Sequence, residues 1–283
     1  MSGVESVIAR SSAHLRGLWA QDQPVFGLWT GLADPAVAEL EATSPFDYVC
    51  IDLQHGVPTF SELPHMLQAM RAAGRAPIVR VPVNEAATIM RALDVGACAA
   101  LVPMVNSADD AARAVAACRF PPEGERSWGP MWGDVRDDGA LPPEEQNAAA
   151  ICIVMVETKA GMDDLEAIAA VPGLDGIYIG PNDLALSCGY GRETYRTSGD
   201  VDAMIQRIVD VCRDRGIVAG LHCSDIEMAA HWAARGARML TAATDTTLLR
   251  GAISRAWSAL DEAAGLPDGR GTAPFRVPNR RSY

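Results

Sequence analysis

The chain has 283 residues, of which 49% are hydrophobic, and a formal net charge of −12 at pH 7, so one large core is possible while nucleic acid and anionic membranes are not expected partners. It shows no signal-like segment and no apolar run of about 18 residues, which predicts a soluble, cytoplasmic protein. Its seven cysteines include no Cys-x-x-Cys pair and predict free thiols in a reducing compartment.

Short apolar segments alternate with amphipathic ones from residue 25 onwards, and they predict strands and helices in turn. A polar lead-in helix is expected within residues 1–23, and Asp34 is the predicted N-cap of the next helix. A short amphipathic segment containing Met162, Leu165 and Ile168 connects the fifth and sixth strands. The predicted strands are 25–30, 48–52, 77–81, 99–104, 151–156, 176–179, 217–222 and 239–243, and the other predicted helices are 35–42, 60–73, 86–94, 108–118, 144–149, 201–213, 225–234 and 246–263.

These segments make eight strand–helix repeats. Each predicted strand is a continuous apolar run, as expected when both faces of a parallel sheet are covered. Eight such repeats in about 250 residues predict a closed (β/α)8 TIM barrel, with residues 1–264 as one domain and 265–283 as a C-terminal tail. An open doubly wound sheet is the alternative, but no Gly-x-Gly-x-x-Gly follows the first strand.

Residues 119–150 interrupt the alternation with a cluster of glycines and prolines around Trp128 and Trp132. Long loops inside compact domains are usually functional, and two tryptophans are costly to leave in water. We therefore expect this loop to form a wall or lid over a binding site, with Trp128 as a substrate-binding residue. A passive surface excursion is the alternative.

Two carboxylates follow neighbouring predicted strands, Glu157 after the fifth and Asp183 shortly after the sixth. Right-handed crossovers bring the C-terminal ends of parallel strands to the same rim, so both carboxylates can meet at one point. Paired oxygen ligands with room for water suit Mg²⁺ or Mn²⁺. The alternative is that each residue only caps the helix that follows it.

Other polar residues follow neighbouring strands. His55 is the candidate acid/base, and Asp52 is expected to orient it by accepting a hydrogen bond from its ring. Arg80 ends an apolar strand, where it needs an anionic partner; a salt bridge to Asp52 or Glu157 is the alternative to substrate binding. His222 lies in the seventh predicted strand and is interpreted as a core histidine.

Together these residues form motifs that resemble the HpcH/HpaI aldolase family of the pyruvate/phosphoenolpyruvate barrel superfamily, over about residues 25–262. The matching motifs are Phe26-Gly-Leu-Trp29, Ile51-Asp-Leu-Gln-His55, Val79-Arg80, Leu101-Val-Pro-Met104, Arg119-Phe-Pro-Pro122, Val156-Glu-Thr158, Ile179-Gly-Pro-Asn-Asp-Leu184 and Asp245-Thr-Thr-Leu248.

The resemblance implies a metal-dependent (class II) aldolase that reversibly cleaves 4-hydroxy-2-oxo acids to pyruvate, or a related 2-oxo acid, and an aldehyde, with possible oxaloacetate decarboxylation. It implies Mg²⁺ or Mn²⁺, with Co²⁺ or Zn²⁺ as further options, and a homo-oligomer such as a hexamer built as a trimer of dimers, in which the last helix packs on a neighbouring barrel. The implied metal ligands are Glu157 and Asp183; the implied catalytic residues are His55, Asp52 and Arg80; the implied substrate contacts are Arg80, Gly180, Pro181, Asp183 and Gln54.

The chain departs from characterised relatives at two positions. Gln54 stands where several relatives have Glu, and Met155 stands where they have Gln. Both changes remove polar or charged character near the expected site and leave the natural aldehyde open.

The sequence leaves three alternative functions open. A Schiff-base aldolase needs a lysine, and Lys159 is the only one in the chain. A CoA-thioester lyase of the citrate or malyl type needs a basic nucleotide pocket, and a barrel that only binds 2-oxo acids needs no catalytic groups.

Overall fold

The computed structural model describes residues 6–131 and 141–265. Eight parallel strands pair in sequence order, the last also with the first, and close into a barrel. The predicted (β/α)8 fold is therefore confirmed. The barrel unit runs to Asp245, and a second unit begins at Thr246.

The strands and helices follow the predicted alternation closely. The strands are β1 Val25–Thr30, β2 Tyr48–Asp52, β3 Ile78–Arg80, β4 Ala99–Val102, β5 Ile151–Val156, β6 Gly176–Ile179, β7 Val218–Leu221 and β8 Met239–Thr244. The helices are α1 Val7–Ala20, α2 Pro35–Ala42, α3 Leu63–Ala72, α4 Ala86–Val95, α5 Ala108–Cys118, α6 Pro143–Ala149, α7 Lys159–Asp163, α8 Leu165–Ala169, α9 Pro181–Ser187, α10 Gly199–Arg215, α11 Ile226–Ala234 and α12 Asp245–Ala264.

Local capping explains where several helices begin. The Asp34 carboxylate accepts hydrogen bonds from the amides of Ala36 and Val37, which confirms it as the N-cap of α2. Asp225 caps α11 in the same way. The segment between β5 and β6 differs from the single predicted helix, because a break at Asp164 divides it into α7 and α8.

The core has two layers, because each strand is buried on both sides. The inner layer fills the barrel with large side chains. The rings of Tyr48 and Tyr178 lie against Gly27 and Gly220 of neighbouring strands, where a Cβ atom would approach them to 2.2 and 2.3 Å. These two glycines are needed for close packing, since any larger residue would displace a tyrosine from the centre of the barrel.

Helix α1 closes the N-terminal end of the barrel. Leu15 packs with the inner layer and is almost fully buried. Trp19 donates to the carbonyl of Arg238 at 3.1 Å, and Arg16 donates to Asp175. These partners precede β8 and β6, so the opposite, C-terminal end is the one left for a binding site.

The described residues of the loop after α5, 119–131 and 141–150, do not lie where we expected the loop. The Phe120 amide donates to Asn147 of α6, and Arg126 pairs with Asp94 near the end of α4. Both anchors belong to connections that lead into the N-terminal ends of strands. Trp128 packs on Phe120 with 5.1 Å between ring centroids, so within this protomer it lies at the end opposite the mouth, and the expectation that it binds substrate there is corrected. The loop joins a helix to the following strand, and such connections lie at the N-terminal face of a barrel. Trp132 is outside the described residues, as are residues 266–283 of the predicted tail.

Large apolar residues of helix α12 are exposed to solvent. Leu249, Ile253, Trp257 and Leu260 are 53, 62, 40 and 54% exposed, and their spacing of three and four residues places them along one side of the helix. None of the helices in residues 6–131 and 141–265 is both long and apolar enough to cross a membrane.

Candidate active site

The C-terminal ends of β2 and β3 present an ion pair. The strand register sets Asp52 opposite Arg80, and the guanidinium grips the carboxylate with Nε to Oδ1 at 2.9 Å and Nη2 to Oδ2 at 2.6 Å. Both side chains are buried. Burial alone would raise the pKa of Asp52, but the hydrogen bonds and charge of Arg80 outweigh it and hold that pKa below its ordinary value. The sequence allowed a salt bridge from Arg80 to Asp52 or Glu157 as the alternative to substrate binding, and the salt bridge to Asp52 is present.

Asp52 also fixes the loop after β2. Its Oδ1 accepts from the backbone amides of Gln54 at 2.9 Å and His55 at 3.2 Å. Trp29 donates to Oδ2 at 3.2 Å. The expected bond from Asp52 to the His55 ring is thus replaced by a bond to the His55 backbone. Asp52 holds the loop in place, and the His55 imidazole is left exposed.

Glu157 follows β5 and is buried to 2% exposure. Its Oε1 accepts from the Met104 amide at 2.8 Å. Burial raises the pKa of this carboxyl above its ordinary value; the Met104 amide opposes the rise, the charge of Asp183 adds to it, and Arg80 and His55 oppose it more weakly. Arg80, Glu157 and Asp183 lie at or just after the C-terminal ends of β3, β5 and β6, and His55 follows β2, so all four belong to one rim of the closed barrel.

Met104 is a site residue that sequence reasoning did not single out. It has a positive φ of 57°, a backbone conformation that is uncommon for residues other than glycine. That conformation occurs where the amide meets Glu157, so the strained turn after β4 holds the carboxylate in position. The sequence gives no local signal for it, because methionine has no preference for this conformation.

Gly180 provides the space beside Glu157. A Cβ atom at Gly180 would lie 2.4 Å from Glu157 Oε2, which no side chain tolerates. Gly180 is the N-cap residue of α9, with Pro181 at its first position and Asp183 in its first turn. Thr158, not Glu157, caps α7. The alternative in which Glu157 and Asp183 only serve as helix caps is therefore not what the structure shows.

The two carboxylates fit a divalent cation. The charge of Asp183 raises the cost of ionising Glu157, and a cation held by both carboxylates would remove that cost. Glu157 Oε1 is taken by the Met104 amide, while Oε2 lies on the side of Gly180. No group of three or more His, Cys, Asp or Glu residues suited to a metal occurs in the described ranges 6–131 and 141–265. A cation held by Glu157 and Asp183 would therefore take its other ligands from water and substrate, as Mg²⁺ commonly does.

Trp29 connects the ion pair to the seventh strand. The Arg80 guanidinium lies 5.0 Å from the Trp29 ring centroid, and the His222 ring meets the same tryptophan edge-on, with 4.8 Å between centroids. His222 follows β7, and its amide donates to the carbonyl of Ile179 at the end of β6. The histidine is thus part of the mouth of the barrel and not of the core between strands and helices.

Known proteins share both the sequence pattern and the fold. The family model "HpcH/HpaI aldolase/citrate lyase" matches residues 25–252. The chain belongs to the HpcH/HpaI aldolase/citrate lyase family. It is 36% identical to a hydroxypyruvate/pyruvate aldolase of Roseobacter denitrificans over 81% of this chain and 90% of the relative. It is 34% identical to a 2-keto-3-deoxy-L-rhamnonate aldolase of Klebsiella pneumoniae over 87% of this chain and 91% of the relative. A crystal structure of a family protein from Burkholderia cenocepacia superposes with a TM-score of 0.80 at 32% identity, covering 88% of this chain and 99% of that one.

Two features of this family member bear on its chemistry. Lys159 lies on the surface at the start of α7, where its ammonium pairs with Asp163 at 2.7 Å and its pKa is raised by that pairing. A Schiff-base lysine needs a lowered pKa, so Lys159 is unsuited to the role. Met155 is buried inside the barrel, and the Gln54 side-chain oxygen is buried without a hydrogen-bond partner among the described residues.

Proposed function

We propose that this chain is a divalent-metal-dependent aldolase that reversibly cleaves 4-hydroxy-2-oxo acids to pyruvate, or a related 2-oxo acid, and an aldehyde. Family membership makes it a lyase of the aldehyde-lyase type. The observation that carries the finer proposal is the buried Glu157, placed beside a second carboxylate, Asp183, at the same barrel mouth as the Asp52–Arg80 pair.

Glu157 and Asp183 would hold the cation, with Mg²⁺ or Mn²⁺ preferred over Co²⁺ or Zn²⁺ because both protein ligands are carboxylates. When bound, the cation supplies Lewis-acid stabilisation of the negative charge that develops on the 2-oxo oxygen. Gly180 lets the start of α9 lie close against Glu157, and the substrate carboxylate would bind next to the backbone at the start of α9.

Arg80 binds the 2-oxo oxygen. Its hydrogen bonds within the described residues use Nε and Nη2, both to Asp52, so Nη1 remains available to a ligand. Asp52 positions the guanidinium and keeps it charged. A fixed cation that is already oriented before substrate arrives stabilises developing negative charge without reorganisation.

His55 moves the proton. Its exposed imidazole takes the proton of the C4 hydroxyl as the C3–C4 bond breaks and returns it to the aldehyde oxygen in the synthetic direction. Asp52 supports this step through the loop backbone, by its bond to the His55 amide. Gln54, on the same loop, contacts the substrate with its otherwise unpartnered oxygen.

The test is an aldehyde panel incubated with pyruvate and each of several divalent metals. We expect aldol products that disappear with chelator and return with Mg²⁺ or Mn²⁺, and we expect Glu157→Ala to abolish them. Asp163→Ala, at an exposed carboxylate paired with Lys159, is the matched control and should keep activity. Full, chelator-resistant activity in Glu157→Ala would overturn the metal mechanism. Absence of both products and pyruvate methyl-proton exchange in the wild type would favour a barrel that only binds 2-oxo acids.

We further propose a homo-oligomer, a trimer of dimers, in which the apolar side of α12 is covered by another copy. Four large apolar side chains along that side support this assembly. Light scattering of Trp257→Asp should then report smaller particles than the wild type. A cytoplasmic location is proposed from the seven free cysteines, six of them buried.

A further inference from the structure

His222 has an unused hydrogen-bonding side chain at the mouth of the barrel. Within the described part of the chain, its ring nitrogens form no hydrogen bond, and the ring packs edge-on against Trp29 with 4.8 Å between centroids. The residue is half-buried. A core histidine would have partners for its ring nitrogens, because buried polar groups are almost always hydrogen-bonded.

The imidazole is neutral at physiological pH. Burial is the main cause that lowers the pKa of His222 to about 4; the charge of Arg80 adds to this lowering and that of Asp52 opposes it. A neutral imidazole offers one N–H donor and one acceptor nitrogen. A hydroxyl group can both donate to the acceptor nitrogen and accept from the N–H, whereas a carboxylate can only accept from the N–H.

The surroundings favour a ligand group that is polar but uncharged. His222 shares the Trp29 ring with the Arg80 guanidinium, which lies 5.0 Å from the ring centroid, so both side chains contact the same indole at the mouth of the barrel. Met155 contributes only apolar surface to the barrel interior. Among the groups named around Trp29, His222 is the one whose polar atoms have no protein partner.

We propose that His222 is a specificity-determining residue that hydrogen-bonds a hydroxyl group of the substrate, carried by a carbon of the bond being made or broken or by the carbon next to it. This inference rests on the proposed function. The hydroxyl can belong to the 2-oxo acid, as at C3 of hydroxypyruvate, or to the aldehyde, as at C2 of glycolaldehyde. In either case this chain favours the hydroxylated substrate over its deoxy counterpart.

The test crosses two 2-oxo acids, pyruvate and hydroxypyruvate, with two aldehydes, acetaldehyde and glycolaldehyde, in the metal-loaded enzyme. His222→Phe keeps a planar ring against Trp29 and removes the hydrogen bond. We expect the kcat/KM preference for the hydroxylated partner to fall about five- to tenfold, the loss of one neutral hydrogen bond. The rate with pyruvate and acetaldehyde should stay within about twofold. The substrate whose preference collapses identifies the position of the hydroxyl.

Two further variants keep the test specific. His222→Asn restores a donor and an acceptor and should recover part of the preference. His231→Phe changes a histidine of α11 that packs on Tyr195 and Trp232, and it should leave the preference unchanged. An unchanged preference in His222→Phe would overturn the inference, as would an equal loss with all four substrate pairs.

Binding separates this inference from the proposed function. Calorimetry with Mg²⁺ present compares hydroxypyruvate and pyruvate in the wild type and in His222→Phe. Activity without a His222-dependent preference in any arm would refute the inference and leave the aldolase standing. A His222-dependent binding preference in a protein without aldol activity would support the role of His222 and refute the proposed aldolase function.

Discussion

Two buried carboxylates at the mouth of the barrel should differ strongly in how much their neutralisation destabilises the fold. Asp52 is paired with Arg80 and has a lowered pKa, whereas Glu157 has a pKa raised by burial and by Asp183. Removing the Asp52 charge leaves a buried guanidinium without its partner. Removing the Glu157 charge relieves a repulsion that only a cation would otherwise relieve.

The structure sets the magnitudes. Breaking a buried ion pair by neutralising one partner costs about 3–5 kcal/mol, and Asp52 also anchors two loop amides, so Asp52→Asn should destabilise by at least about 3 kcal/mol. Glu157→Gln keeps an oxygen that accepts from the Met104 amide, but this hydrogen bond is no longer made to a charged group and stabilises the fold by about 1 kcal/mol less. Relief of burial and repulsion offsets that loss, because a carboxyl with a raised folded-state pKa opposes folding at every pH above it. The metal-free variant should lie within about 1 kcal/mol of the wild type.

The assay is denaturant unfolding at pH 7.5, with chelator and then with Mg²⁺ at about a hundred times its Kd. The wild type should gain about 2.7 kcal/mol from the metal, whereas Glu157→Gln should gain little and should lose aldol activity. Asp52→Asn should be destabilised under both conditions. A metal-free Glu157→Gln destabilised as strongly as Asp52→Asn would refute this account of the site.

Three further predictions follow from particular contacts. Gly180→Ala should lower kcat by more than tenfold and cost about 1–3 kcal/mol in denaturant unfolding, because its Cβ displaces the Glu157 carboxylate. Burial raises the pKa of Glu41, on α2, to about 7. Since a raised folded-state pKa makes the ionised form unfavourable, wild-type stability relative to Glu41→Gln should fall by about 2–3 kcal/mol as the pH rises from 4.5 to 7, measured by urea unfolding. Lys159→Met should keep aldol activity, and borohydride with pyruvate should form no adduct detectable by mass spectrometry in either protein.

Each of these predictions has a contrary result. Full activity in Gly180→Ala would mean that Glu157 tolerates displacement. A pH-independent difference between Glu41→Gln and the wild type would place the Glu41 carboxyl in water. A borohydride-trapped pyruvate adduct that is lost in Lys159→Met would reinstate the Schiff base.

The fold was predictable because it depends on local pattern. Continuous apolar runs predict strands covered on both faces, and the amphipathic segments between them predict the outer helices. The N-cap at Asp34 was likewise visible, since its bonds run to residues two and three positions away. Glu157 and Asp183 were candidates for one site because each follows a strand of the same parallel sheet.

Tertiary structure decided how the polar groups are partnered. The register of β2 against β3 gives Asp52 to Arg80 instead of to the His55 ring. The Met104 amide reaches Glu157 across 53 positions of sequence. No local pattern encodes such contacts, because they depend on which side chains the closed barrel brings face to face.

The sequence pattern also did not predict at which end of the barrel Trp128 and His222 lie. The tryptophan-containing loop looked functional by composition, yet its described part lies at the N-terminal end, where every helix-to-strand connection must lie. His222 looked like part of a core strand, yet it stands at the mouth beside Trp29. Composition marked these residues as candidates for burial or binding, yet Trp128 is 55% exposed. Only closure of the barrel decided at which end each residue lies and beside which neighbours.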